Sequence, residues 1–369
     1  MKQNTRRWLV RAGVALAGII LAAGSMLLIP AVQDRVFTLF VTQHLRTGNT
    51  PFFKDDNLKV LLCGTSAPFA DPNRAQSCVA VFANGKYYLV DTGPGSGRNL
   101  ALWQLRGREL GAVFLTHFHS DHIGDLGEIN TNAWLDGHPG PLPVYGGPGV
   151  EPVVQGFNQA YAQDEDYRTV NTGSGLLPPA AATMRATTIS LAGPPTPRMN
   201  RRSAPLQLGG LTITAFEVNH KPAAPAYAYR FDYRGRSVTI SGDTRYHPPL
   251  VAAARGSDVL VHEAQSQHLV RLIQESAATT GNARLDRIMG DIQAYHADPI
   301  DAARIANAAQ VRLLVFTHLN PPPSNPLTYS MFYRGLNRVR STDWISGVDG
   351  TFITLPPDSK EVIVTTLKP

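Results

Sequence analysis

The sequence predicts an α/β fold with sheets packed inside helices. Three observations carry the prediction: short apolar, β-rich runs closed by Gly-rich turns from Leu58 onward, an Asn-Gly dipeptide between two of them, and helix-patterned stretches separating many others.

In chain order, "MKQNTRRWLVR" carries Lys2, Arg6, Arg7 and Arg11 with no acid, and residues 12–30 that follow are uncharged and mostly apolar. Residues 1–30 therefore read as a signal anchor or signal peptide, with no convincing small-x-small cleavage site and a loose likeness to a twin-arginine export signal. The positive flank stays cytoplasmic, so the rest of the chain is expected in the periplasm or otherwise outside the cytoplasm, held to the inner membrane by residues 12–30. Residues 31–57 form a juxtamembrane segment, with "VFTLFV" lying against the bilayer.

The strand candidates then follow: "LKVLLCG", "CVAVFANGKYYLVDTGPG", "GAVFLTH", "LTITAFEVNH", "AYAYRFDY", "SVTISGDT", "DVLVHEA" and "RLLVFTHL". The second contains a hairpin, because Asn84-Gly85 supplies the left-handed conformations of a tight turn. Helices are expected over "RNLALWQLRGREL", "HPPLVAAARG" and "PIDAARIANAAQ", the last with Asp298 as cap and Pro299 in its first turn. The Pro-, Gly- and Ala-rich stretch from Asn171 to Gly210 has weak patterning and reads as a mobile rim or an inert linker. Cys63 and Cys78 could pair, but two separate small buried residues are the favoured reading, since neighbouring strands need a particular register to bring their Cβ atoms together.

Composition bears on one class of function. The net charge of +6 falls to +2 once the four positives of residues 2–11 are set aside, so no strongly cationic nucleic-acid surface is indicated.

The chemistry is concentrated at strand ends. His117, His119, Asp121 and His122 follow one apolar run; His220, Asp243 and His318 each close another. Strand ends are rigid and open into a common crevice, so side chains placed there can converge. Imidazole and carboxylate without thiolate suit zinc, with manganese or iron also accepted. Seven ligands exceed one tetrahedral ion and match two ions sharing one carboxylate.

The string HxHxDH, followed by His, Asp and His in that order, resembles the hallmark of the metallo-β-lactamase superfamily from roughly Leu58 to Leu355. The resemblance implies an αββα sandwich over a hydrolase domain, residues 58–369, with metals at one edge. It implies that His117, His119 and His220 hold one Zn2+, that Asp121, His122 and His318 hold the other, and that Asp243 bridges them. Asp91 in "VDTGPG" matches an aspartate that supports the metal loop by hydrogen bonds. Glu263 in "DVLVHEA" and His296 in "YHADPIDAARIANAA" resemble the ribonuclease Z-like group, which includes metallo-type arylsulfatases and phosphodiesterases. There the histidine donates a proton and the glutamate orients it, so His296, Asp243 and Glu263 are the expected catalytic residues.

The expected function is hydrolysis of small sulfate or phosphate esters by a metal-bridging hydroxide. The alternatives are a ribonuclease Z-like phosphodiesterase or endonuclease, a lactone hydrolase, and a non-catalytic metal-binding scaffold. In the tRNA-processing members a long basic arm lies between the positions of His220 and Asp243, an interval of only 23 residues here. Nucleic acid is accordingly an unexpected partner, a small ester the expected one, and an oligomer is left open. The substrate rim is expected from Gly124 to Val150 and the Pro-rich stretch before Leu211, with Trp134, Tyr145 and Phe157 either an apolar wall or core. His138, His247, His262 and His268 lack the strand-end pattern and receive no role.

Overall fold

The computed structural model describes residues 2–47, 50–193 and 201–368. They divide into two compact units, residues 1–50 and residues 51–369.

The first unit consists of helices Lys2–Met26 and Pro30–Thr47. No described helix is long and apolar enough to cross a membrane. The physical reason is where the first helix keeps its charge. Lys2, Arg6, Arg7 and Arg11 occupy its opening turns and it ends at Met26. The fifteen uncharged residues left span about 22 Å at ~1.5 Å per residue, short of a hydrocarbon layer of ~30 Å. The expected inner-membrane anchor is thus corrected, and the extracytoplasmic location inferred from it is withdrawn.

In the second unit, eight strands form one sheet in the order Ile363–Thr366, Thr351–Leu355, Leu58–Gly64, Cys78–Ala83, Lys86–Val90, Leu110–Phe114, Leu142–Gly146 and Met184–Thr188. Seven form the other: Trp344–Ser346, Leu313–Asn320, Val259–Gln265, Arg236–Ile240, Ala226–Tyr233, Leu211–Val218 and Leu206–Leu208. Alternation along each strand sorts side chains between two layers. Val60, Val81 and Phe114 meet Tyr229, Phe231, Val261 and Val315 between the sheets. Leu61, Phe82 and Val113 face outward beneath helices Leu126–Leu135 and Val150–Thr172, and Ala228, Leu260 and Leu314 lie beneath Pro299–Ala308 and Pro326–Phe332. Strands buried on both faces read as continuous apolar runs, which is why the sequence shows runs rather than clean alternation.

Asn84 and Gly85 have φ of 49° and 71° and turn the expected hairpin. Asp298 caps its helix by accepting from the Ile300 amide at 3.0 Å. The helix expected over "RNLALWQLRGREL" stops at Leu102, followed by Gln104 at φ 55°.

Cys63 and Cys78 form a disulfide, against the favoured reading of two separate residues. The register shift between Leu62 and Gly64 across the strand pair sets the two Cα atoms 4.9 Å apart. The bond closes the base of the loop Gly64–Ser77.

The stretch Asn171–Gly210 is not a simple rim. Met184–Thr188 and Leu206–Leu208 are edge strands of the two sheets, and Ala192 bridges to Arg202. Residues 194–200 within it lie outside the described residues.

Candidate metal centre

Each strand-end residue singled out in the sequence arrives at one edge of the sandwich. The strand Leu110–Phe114 leads to His117 and His119, and the short helix Ser120–Ile123 turns Asp121 and His122 inward. Asp91, at φ 62° just past the strand Lys86–Val90, braces this loop. Its carboxylate accepts from the Thr116 amide and hydroxyl at 2.8 Å each and from His122 Nδ1 at 2.7 Å. With Nδ1 fixed, His122 presents Nε2 to the centre.

His220 is held similarly. Its Nδ1 lies 3.0 Å from the Tyr295 carbonyl, which turns Nε2 to within 3.4 Å of His119 Nδ1 and 3.8 Å of Asp243 Oδ2. His318 is aimed by a β-bulge. In the pairing of Val259–Gln265 with Leu313–Asn320, Glu263 opposes Thr317 and Ala264 opposes Leu319, leaving His318 as the extra residue at φ 47°. Its Nε2 then lies 3.1 Å from Asp121 Oδ2 and 3.3 Å from Asp243 Oδ2.

Asp243 occupies the middle. Its Oδ2 is 3.3 Å from His122 Nε2, 3.8 Å from His220 Nε2 and 4.0 Å from His117 Nε2. Spacings of this size fit cation coordination. Four ligands at about 2.1 Å around a tetrahedral zinc stand roughly 3.4 Å from one another. Among the described residues five donor groups have atoms within 4.8 Å of one another: His117, His119, His220; His117, His122, Asp243; Asp121, His122, His318; and two that include His296, with His220 and Asp243 and with Glu263 and His318.

Charge supports the same fit. Asp91, Asp121, Asp243 and Glu263 are all buried, and their ion-pair partners in the described structure are histidines. Burial holds His117 well below its ordinary imidazole value, with His122 adding to the effect, and burial also lowers His119 and His220. A lowered value favours the neutral ring, the form that coordinates a cation. Burial would lower His122 too, but the carboxylates of Asp243, Asp91 and Asp121 push it well above the ordinary value. That excess of negative charge around one ring is what bound cations would offset.

Glu263 and His296 form a second arrangement beside the first. Glu263 Oε1 accepts from the Thr244 amide at 2.8 Å and meets His296 Nδ1 at 3.0 Å. Burial pulls His296 down, but Glu263 outweighs it and raises the imidazole above its ordinary value. His296 also stacks on His318 with ring centroids 5.6 Å apart.

Of the two readings given for the aromatics of the expected rim, the core one holds. Trp134 is buried among Leu177, Ala181 and Ala182 and donates to the Pro178 carbonyl; Tyr145 stacks on Phe114; Phe157 packs on the outer face of the first sheet. The cleft at the centre, about 320 Å³, is instead lined beside the ligands by Phe69, Ile288, Met289, Ile292 and Tyr295. The sequence reading missed the helices Gln267–Thr279 and Ala283–Ile292, the second of which brings three of these. Their signals are present: caps at Ser266 and Asn282, and apolar residues at helical spacing at Leu269, Ile273, Ala277 and at Leu285, Met289, Ile292. Of the unassigned histidines, His138 bonds the carbonyls of Gly140 and Leu110 and His268 meets Arg334. His262 is buried against the Glu263 carbonyl.

Fold and site together define a metal-dependent hydrolase of the αββα type. A family model described as the beta-lactamase superfamily domain matches residues 86–319. A ribonuclease Z from Mycobacterium bovis (strain BCG / Pasteur 1173P2) is 33% identical over 267 residues, covering 72% of this chain and 86% of that protein. One from Mycolicibacterium paratuberculosis is 34% identical over the same shares. Among solved structures, the metallo-beta-lactamase fold protein YhfI from Bacillus subtilis superposes with a TM-score of 0.56 at 20% identity, covering 81% of this chain and 100% of that one. Human tRNase Z, short form, gives 0.55 at 18% identity, with 81% and 99% covered. The chain belongs to the metallo-β-lactamase superfamily, in its ribonuclease Z-like branch.

Proposed function

We propose that this chain is a phosphodiesterase of the ribonuclease Z type, with RNA as its substrate class and two divalent cations, zinc first and manganese or iron as alternatives, in its centre. The observation that carries the reading is the pairing of a seven-residue ligand cluster with the Glu263–His296 couple, in a chain one-third identical to relatives named for RNA cleavage. This replaces the expectation that nucleic acid is not a partner.

In this reading His117, His119 and His220 hold one cation, Asp121, His122 and His318 hold the other, and Asp243 serves both. Asp91 fixes His122 from behind. The cations would supply an acidified water and stabilise charge on the phosphoryl oxygens. The chain's own part is proton delivery. Glu263 takes Nδ1 of His296 and holds the ring against His318, so the proton for the departing oxygen is carried on Nε2. Burial of the couple keeps bulk water from competing for that proton.

A second reading, hydrolysis of small sulfate or phosphate esters, is favoured by one feature. Between His220 and Asp243 the chain makes only the strands Ala226–Tyr233 and Arg236–Ile240 joined at Arg234-Gly235, with no inserted arm. Turnover of an unstructured oligoribonucleotide, a precursor tRNA, bis(4-nitrophenyl) phosphate, an aryl sulfate and a lactone by the zinc-loaded full chain separates the two. Phosphodiester cleavage that stops on chelation and returns with zinc is expected. Aryl sulfate turnover without phosphodiester turnover would overturn the first reading in favour of the second.

A further inference from the structure

The cleft at the metal centre has two unlike halves. One is titratable, formed by the ligand cluster and His296; the other is apolar, formed by Phe69, Ile288, Met289, Ile292 and Tyr295. A phosphoryl group needs only the first half. Met289 and Ile292 are buried in a cluster with Val270, on which Phe69 and Tyr295 pack. They form the floor. Ile288, in contrast, is 47% exposed at the cleft, as is part of Phe69 and Tyr295. Exposed apolar residues gathered at the mouth of a catalytic cleft mark a place where apolar substrate is buried.

Chemistry and position narrow what is buried there. The accessible surface offers two aromatic rings and a branched aliphatic over a thioether, all of which favour a flat aromatic partner. Tyr295 directly precedes His296, and its ring packs against the His296 and His220 rings at centroid distances of 5.0 and 5.1 Å. His296 is the group assigned to the departing oxygen, so the apolar half lies on the leaving-group side. The loop that carries Phe69 is set by the Ser66 hydroxyl, which donates to the Phe69 carbonyl at 2.9 Å, and by the disulfide at its base.

We infer that Phe69, Ile288 and Tyr295 form a binding face for a flat aromatic ring carried on the leaving oxygen, a nucleobase in RNA or an aryl group in a small diester. The inference rests on the phosphodiesterase reading and adds the determinant of what that site selects. These three side chains bind substrate, and the helical hairpin Gln267–Ile292 that supplies Ile288 acts as a specificity element.

The test compares, on the zinc-loaded full chain, a dinucleoside monophosphate with its analogue lacking the base on the leaving ribose, which keeps the reacting bond the same. Phenylphosphonate and methylphosphonate are compared in parallel as competitive inhibitors. The wild type is expected to prefer the base-bearing substrate about tenfold in kcat/KM, chiefly through KM. Ile288→Asn and Phe69→Ser should each reduce that preference to about threefold or less, with metal content unchanged as the sign of an intact fold, while Ile288→Leu retains it. A matching preference for phenylphosphonate extends the face to any flat ring; its absence, with the dinucleotide preference kept, assigns the face to nucleobases. Equal turnover of the two dinucleotides, or a preference that survives both polar variants, overturns the inference. Should neither dinucleotide be cleaved, the phosphonates decide the face alone: equal inhibition overturns it, and a phenyl preference lost in Ile288→Asn upholds it; the phosphodiesterase reading itself falls only if precursor tRNA, the oligoribonucleotide and bis(4-nitrophenyl) phosphate are also left intact.

Discussion

The ligand cluster and the helical hairpin border the same cleft and are built differently. His117, His220, Asp243 and His318 hang from the ends of strands whose backbones are hydrogen-bonded on both sides, and each of these side chains is almost wholly buried. The hairpin Gln267–Thr279 and Ala283–Ile292 instead packs onto the sandwich through a small cluster around Val270 and Met289, leaving Ile288 exposed. A cation centre requires donors fixed to within fractions of an ångström, which doubly paired strands supply. A surface that meets a variable organic group requires only contact area, which an outer helix pair supplies and can change without disturbing the ligands. Catalysis and selectivity are thus assigned to structurally separable regions.

That separation can be broken most severely at Asp243. Asp243→Ala removes the carboxylate shared by both halves of the cluster, and kcat/KM is expected to fall by roughly 10⁴-fold or more, with bound zinc lost by elemental analysis. Next is His296→Ala, expected to keep its zinc while kcat falls about 10²–10⁴-fold. The loss should shrink as the leaving group improves; equal losses on good and poor leaving groups would remove the proton-delivery role. Asp91→Asn acts one step behind the donors. It should weaken zinc affinity about 10–100-fold by competition titration with a chelating dye, since His122 loses the carboxylate that orients it.

The comparison sharpens with perturbations outside the cluster. The disulfide closes a loop over a sequence separation of 15, so Cys78→Ser should cost about 3 kcal/mol in denaturant unfolding. Its effect on turnover should appear in KM, through the Phe69 loop, with zinc content preserved. Smallest of all, His138→Gln should leave metal content and kcat unchanged, because that ring's partners among the described residues are the carbonyls of Gly140 and Leu110.

Legibility followed the range of the interactions. HxHxDH could be read because its four metal-philic side chains lie within six residues on one strand end, and Glu263 and His296 stood out once the fold was assigned. The anchor was misread because hydropathy does not show where a helix ends: the break after Met26 leaves too short an apolar length. Trp134 and Tyr145 were ambiguous because an aromatic residue's own sequence neighbourhood does not say which layer of a sandwich it faces.

By itself, the sequence determined the strand runs, the Asn84-Gly85 hairpin, the Asp298 cap and the identity of the metal-philic side chains. Each follows from local backbone preference or from side-chain chemistry. Tertiary structure alone decided that Cys63 meets Cys78, that a bulge aims His318 at Asp121 and Asp243, and that Phe69 joins Ile288 and Tyr295 beside His296. Those depend on strand register and on packing between segments up to about two hundred residues apart, where a shift of one residue redirects a side chain to the opposite face.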